Sequence, residues 1–128
     1  KAKHILEIAG ILVDNYEGVV PQDQEALMRL PGVGLKTANL TLSEGYGLPY
    51  ICVDTHVHRI SNRLGWVSTS SPEKTEKALQ DFLPKQFWIP INELFVRFGQ
   101  ALCSPVSPRC SRCPLADYCP RIGVEKRR

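Results

Sequence analysis

The sequence has no long hydrophobic run. No uninterrupted apolar stretch comes near the roughly eighteen residues that a membrane helix needs, which excludes a helical membrane span. No secretory-signal or transit-peptide pattern is present, so the sequence reads as soluble and intracellular. There is no internal repeat, no low-complexity linker and almost nothing with strand character, which excludes repeat arrays, disordered tethers and sheet architectures. An initiating methionine is also lacking, because the chain begins at Lys1, and a trimmed or truncated chain is expected. What is present is 128 residues, 43% hydrophobic and 23% charged. That suffices for one domain with a buried core and is too apolar for a disordered chain.

Cysteine and charge are both unevenly spread. Cys52 stands alone, whereas Cys103, Cys110, Cys113 and Cys119 fall close together near the C-terminus. A secreted disulfide scaffold distributes its pairs to close long loops, so this foursome reads as a metal or cluster site. From Lys1 to Val96 nine Lys and Arg oppose eleven Asp and Glu, a net of −2. From Arg97 to Arg128 seven oppose two, a net of +5, so the overall +3 conceals a basic final third.

The apolar spacing predicts an all-α fold. Ile5, Ile8, Ala9, Leu12 and Tyr16 form one stripe of a helix over 3–16. Asp23 can cap a short helix reaching about Leu30. A turn at Pro31-Gly32-Val33-Gly34 leads to a helix from Leu35 to about Gly45, and 50–53 reads as a short extended return. Asp54 sits at an N-cap ahead of a helix carrying Val57, Ile60 and Leu64, and Ser71-Pro72 opens another that runs to about Leu83. A last helix is expected from about Pro90 to Leu102, followed by cysteine-rich loop and charged tail. The organisation is therefore a helical region over 1–102, a cluster loop over 103–119 and a basic tail over 120–128.

Three constellations carry chemistry. The first is Leu30-Pro31-Gly32-Val33-Gly34-Leu35-Lys36-Thr37-Ala38, a turn joining two helices. Its glycines allow close backbone approach, and the helix start beyond it offers unpaired N–H groups that suit a phosphate; a plain helix–helix turn is the alternative. The second is Lys36 with Asp54. Helix followed by extended return covers similar distances out and back, so both residues can sit at helix starts on one side of the molecule. A lysine stripped of water there can act as an amine nucleophile, and a carboxylate can accept its proton or stabilise a cationic transition state. Taken singly, a solvated lysine and a capping aspartate are the better account of each residue. The third is the C-x6-C-x2-C-x5-C run, whose thiolates can enclose zinc or an iron–sulfur cluster; a single C-x2-C knuckle favours the cluster.

Together the hairpin, the segment Val53-Asp54-Thr55-His56-Val57 and the four-cysteine loop resemble endonuclease III, the bifunctional DNA glycosylase and abasic-site lyase family of the helix-hairpin-helix type. The resemblance runs from about Arg29 to Pro120 with motif order and cysteine spacing intact. It implies a [4Fe–4S] cluster on Cys103, Cys110, Cys113 and Cys119, and double-stranded DNA with a damaged base or abasic site as partner. It makes Lys36 the amine that attacks a flipped nucleotide and Asp54 the carboxylate that assists departure of the base. Leu30, Gly32, Val33, Gly34 and Arg109 become DNA contacts. It also implies removal of oxidised pyrimidines, strand cleavage by β-elimination, and residence wherever DNA is kept, in nucleoid, nucleus or mitochondrion.

One departure bears on this reading. Family members carry a substantial N-terminal region ahead of the matching part, and this chain has no room for it. A fragment is expected, completed by that segment, by a partner or by self-association of uncovered apolar faces. A cluster-bearing DNA-binding fragment impaired in catalysis is the alternative function, and a zinc-stabilised relative is a third. His56 is expected as a neutral packed ring, His4 and His58 as surface residues, Cys52 as a buried inert thiol, and Trp66, Trp88 and Phe95 as packing residues. The tail Glu125-Lys126-Arg127-Arg128 reads as a frayed, solvated end.

Overall fold

A computed structural model describes all residues 1–128. It contains six α-helices and no strand: α1 (Ala2–Tyr16), α2 (Gln24–Met28), α3 (Leu35–Leu40), α4 (Thr55–Arg63), α5 (Pro72–Phe82) and α6 (Pro90–Ala101). The chain divides into two compact units, Lys1–Tyr50 and Ile51–Arg128, each with its own apolar core. That division falls inside the stretch that composition alone treats as one helical region.

In the first unit the core is Leu27, Leu30, Ala38 and Leu42, covered by Ile8, Ile11 and Leu12 of α1. Asp23 caps α2 by accepting from the Ala26 amide at 3.2 Å. The helix expected to continue to Gly45 changes type. It is α-helical only to Leu40, and Thr41–Gly45 winds wider as a π-turn. Hydroxyls account for the difference: Thr41 donates to the Thr37 carbonyl and Ser43 to the Asn39 carbonyl, each at 2.8 Å, competing for the acceptors that an α-helix would use.

In the second unit Ile51, Val53, Val57, Ile60, Leu79, Ile91 and Phe95 are buried together, and α4 packs on both α5 and α6. The return through Ile51–Val53 is buried but joins no ladder; Asn92 donates to the Cys52 carbonyl at 3.2 Å. Ser71 caps α5 and Pro72 opens it, as the sequence predicts. Gly99 sets how closely α6 meets α4. A Cβ there would lie 2.7 Å from His56 Cδ2 and 2.9 Å from Arg59 Nη2. His58 is not a free surface residue: its Nδ1 lies 2.6 Å from the Thr75 hydroxyl, in a network with Asn62 and Thr69 that ties α4 to α5.

Glu76 is buried on α5, 6% exposed, and accepts from Gln80 Nε2 at 2.5 Å. Burial pushes its carboxyl above the usual value near 4.5, partly offset by the Gln80 hydrogen bond and the Lys77 charge. A raised acid pKa means that the folded state holds the proton more tightly. The resulting stabilisation is complete below the unfolded-state pKa and is lost as pH rises through the folded-state value. Glu76→Gln keeps the acceptor and removes the charge. It is expected to raise the thermal midpoint at pH 7, with the gain disappearing near pH 3; calorimetry across that range reads the effect.

Candidate functional site

The first unit presents the hairpin. Pro31 and Gly32 occupy the centre of a turn closed by the Val33 amide donating to the Leu30 carbonyl at 3.2 Å. Gly32 has φ +74°, the left-handed value that the third residue of a type II turn requires. Gly32 and Gly34 are exposed, Val33 is half-buried, and the Leu30 side chain is buried in the core, so Leu30 can offer a ligand backbone only. Lys36 lies exposed on the first turn of α3, two residues beyond Gly34, the extended residue that starts the helix. His4 reaches this turn from α1. Its Nδ1 would stand 2.6 Å from a Cβ on Gly32, so the imidazole fills the space that the glycine leaves.

The second unit holds Asp54, whose side chain is 11% exposed. Its Oδ1 caps α4 by accepting from the Val57 amide at 2.9 Å, and its Oδ2 lies 3.0 Å from His56 Nδ1. A carboxylate only accepts, so His56 directs an N–H at it. The imidazole expected merely to pack is thus the second partner of the capping carboxylate. Lys36 and Asp54 belong to different units.

The four clustered cysteines are free thiols lining one small cavity. Ile60, Phe98 and Leu115 supply apolar wall, and Arg63, Arg109 and Arg121 supply cations. Two short 3₁₀ turns, Cys110–Arg112 and Ala116–Tyr118, bend the loop that composition left irregular. Four thiols around a common cavity fit a polynuclear cluster whose irons take one thiolate each.

Arg63 is the residue that sequence reasoning missed. It is 8% exposed, and its guanidinium donates to Cys103 Sγ at 3.2 Å, to the Ser104 carbonyl at 2.8 Å and to the Pro105 carbonyl at 2.7 Å. Its own carbonyl lies 3.5 Å from Cys119 Sγ. Arg59, one turn earlier, donates to the Cys103 carbonyl at 2.9 Å. Burial lowers the Arg59 pKa, and neighbouring Arg63 lowers it further. The one local sign of Arg63 was its place in the last turn of an apolar-striped helix.

Comparison with known proteins settles the lineage. Residues 1–85 match the pattern of the HhH-GPD superfamily base excision DNA repair protein. The chain belongs to that superfamily. Residues 103–119 match the iron–sulfur binding domain of endonuclease III, and the cofactor of this segment is a [4Fe–4S] cluster. Endonuclease III of Thermotoga maritima is 54% identical over 119 residues, covering 93% of this chain and 56% of that protein. A non-covalent endonuclease III–DNA complex superimposes with a TM-score of 0.86 at 42% identity, over 94% of this chain and 56% of that one. A trapped endonuclease III–DNA covalent intermediate gives the same score and identity, over 94% and 57%. The chain therefore spans about half the length of these relatives.

Two outcomes test the geometry. Arg63→Met keeps the buried volume and removes three donors to the cysteine loop; it should cost about 3 kcal/mol and lower bound iron per chain, read by denaturation and metal analysis. Gly32→Ala forces a Cβ into left-handed backbone and against His4. It should cost about 1–2 kcal/mol, and His4→Ala should recover the steric part only, which a double-mutant cycle separates.

Proposed function

We propose that the protein carrying this chain is a base-excision DNA glycosylase with abasic-site lyase activity. The observation carrying this reading is an exposed lysine, Lys36, two residues beyond the last hairpin glycine in a chain of this superfamily. In the proposed reaction the Lys36 amine attacks C1′ of a nucleotide extruded from the duplex and displaces the base. The Schiff base that results permits β-elimination, which breaks the bond on the 3′ side of the sugar. Asp54 stabilises the cationic sugar as the base leaves, and His56 orients the carboxylate. Backbone groups at Leu30, Gly32, Val33 and Gly34 hold phosphate, and Arg109, exposed beside the cysteine cavity, adds a cation for DNA. Cys103, Cys110, Cys113 and Cys119 ligate the cluster, which shapes the loop and takes no part in the chemistry. Oxidised pyrimidines are the proposed lesions, and the protein works wherever its DNA lies. No helix is long and apolar enough to cross a membrane.

The trapped covalent complex of a relative supports this reading. A second reading rests on the chain's span of about half its relatives: an iron–sulfur DNA-binding fragment that needs further chain to turn over. Borohydride added to the cluster-loaded protein and abasic-site DNA separates them. A covalent adduct is expected, and Lys36→Ala should abolish it while leaving duplex affinity within about twofold. Adduct formation that survives the substitution would remove Lys36 from its role; salt-sensitive binding without adduct or cleavage supports the fragment.

A further inference from the structure

The tail beyond Cys119 runs back over the cysteine loop and is fastened at both ends. At its root Pro120 and Ile122 lie on Gly65, where a Cβ would stand 3.2 Å from Pro120 Cγ and 3.4 Å from Ile122 Cδ1. The Ile122 amide donates there to the Arg63 carbonyl at 3.2 Å. Next the Val124 amide donates to the Arg121 carbonyl at 3.1 Å, closing a turn whose third residue, Gly123, has φ +74°. At the far end the Arg128 amide donates to the Pro108 carbonyl and the Ser111 amide to the Arg128 carbonyl, each at 2.8 Å. Arg128 Nε adds a bond to the Ser107 carbonyl at 3.1 Å. A segment rich in charge is thus held down almost wholly through its main chain.

This fastening turns one side chain inward. Over 122–128 every residue is exposed except Val124, which is half-buried. Val124 borders the cavity shared by Cys103, Cys110, Cys113 and Cys119. It also borders an outer groove between the tail and Pro105, Val106 and Ser107. Lining both, it separates the cysteines from solvent on that side. An apolar shell around a metal centre governs the access of water and of competing ligands. The bonds at Arg128 can open while the root on Gly65 and the helices stay formed, which is the pattern of a local opening rather than of global unfolding.

We propose that residues 121–128 form a strap, with Val124 as its plug, that sets how fast water and small chelators reach the cluster on the four cysteines. The proposal rests on the cysteine ligation given under the proposed function and is independent of the reaction assigned to Lys36. The strap acts on the rate of iron loss and not on the number of irons bound.

The test challenges cluster-loaded protein with excess EDTA and follows the loss of the cluster's visible absorption. Val124→Ala should release iron severalfold faster than the unsubstituted chain. Arg128→Pro removes the amide donor to Pro108 and the side-chain donor to Ser107, and should also speed release severalfold. Both variants should begin with the same iron per chain and the same helical content as the unsubstituted protein. Val106→Ala removes an equal side chain from the outer groove, where Val106 is 77% exposed, and should leave the rate unchanged. Release at the unsubstituted rate in the first two variants, equal acceleration by Val106→Ala, or a lower starting iron content would each overturn the strap. Hydrogen exchange of the unsubstituted, cluster-loaded protein gives a reading that needs no variant. The amides of Ile122, Val124 and Arg128 should exchange together and more slowly than in an unstructured peptide of the same sequence; exchange at the peptide rate would overturn the strap. An unsubstituted chain that holds no iron would overturn the cysteine ligation and the strap with it, whereas release that the variants leave unaltered overturns only the strap.

Discussion

One buried guanidinium holds the second unit in its functional form. Arg63 leaves the end of α4 and spreads its donors over a cysteine sulfur and two successive carbonyls of the loop that follows α6. Those carbonyls lie in an irregular segment with no helix or ladder to satisfy them, so the arginine does what secondary structure does elsewhere. A cation buried this way is tolerated only if it is hydrogen-bonded, and here the fork makes three bonds to the loop. The cost of displacing it makes the loop follow α4 closely. Because α4 also begins at Asp54, the same nine-residue helix carries the capping carboxylate at one end and the anchor of the cysteine loop at the other.

The first unit obeys a different constraint, that of backbone freedom. Pro31 and Gly32 turn the chain between α2 and α3 so that the start of α3 stands clear of the core, while Leu30 and Ala38 on either side remain buried. The glycine is required twice over, by its positive φ and by the His4 ring above it. Lys36 is thereby presented on an exposed first turn by a core that it does not help to form.

The helices were legible wherever caps and apolar stripes coincide. Asp23, Asp54 and Ser71 all accept the amide bond that their positions suggest, and no strand forms. Hydroxyl competition was less legible: Thr41 and Ser43 convert the end of the third helix to a π-turn, an outcome decided by rotamers rather than by residue pattern. The cysteine set could be read from spacing because thiolates crowd together for few other reasons. Arg63 could not, since a lone arginine near a helix end usually extends into water and its partners lie some forty residues away. The engagement of His58 is hidden for the same reason, because its threonine partner lies seventeen residues ahead on another helix; His56 packs as its place suggests and adds a local bond to the carboxylate two residues back. The tail is exposed, as its charge density implies, but its end is tied down through main-chain groups that no residue pattern reveals.

Gly99 carries a mechanical implication. With His56 and Arg59 occupying the place of its missing side chain, α4 and α6 meet as a keyed joint, so any larger residue at this position would force the two helices apart or displace the side chains beside Asp54 and Cys103.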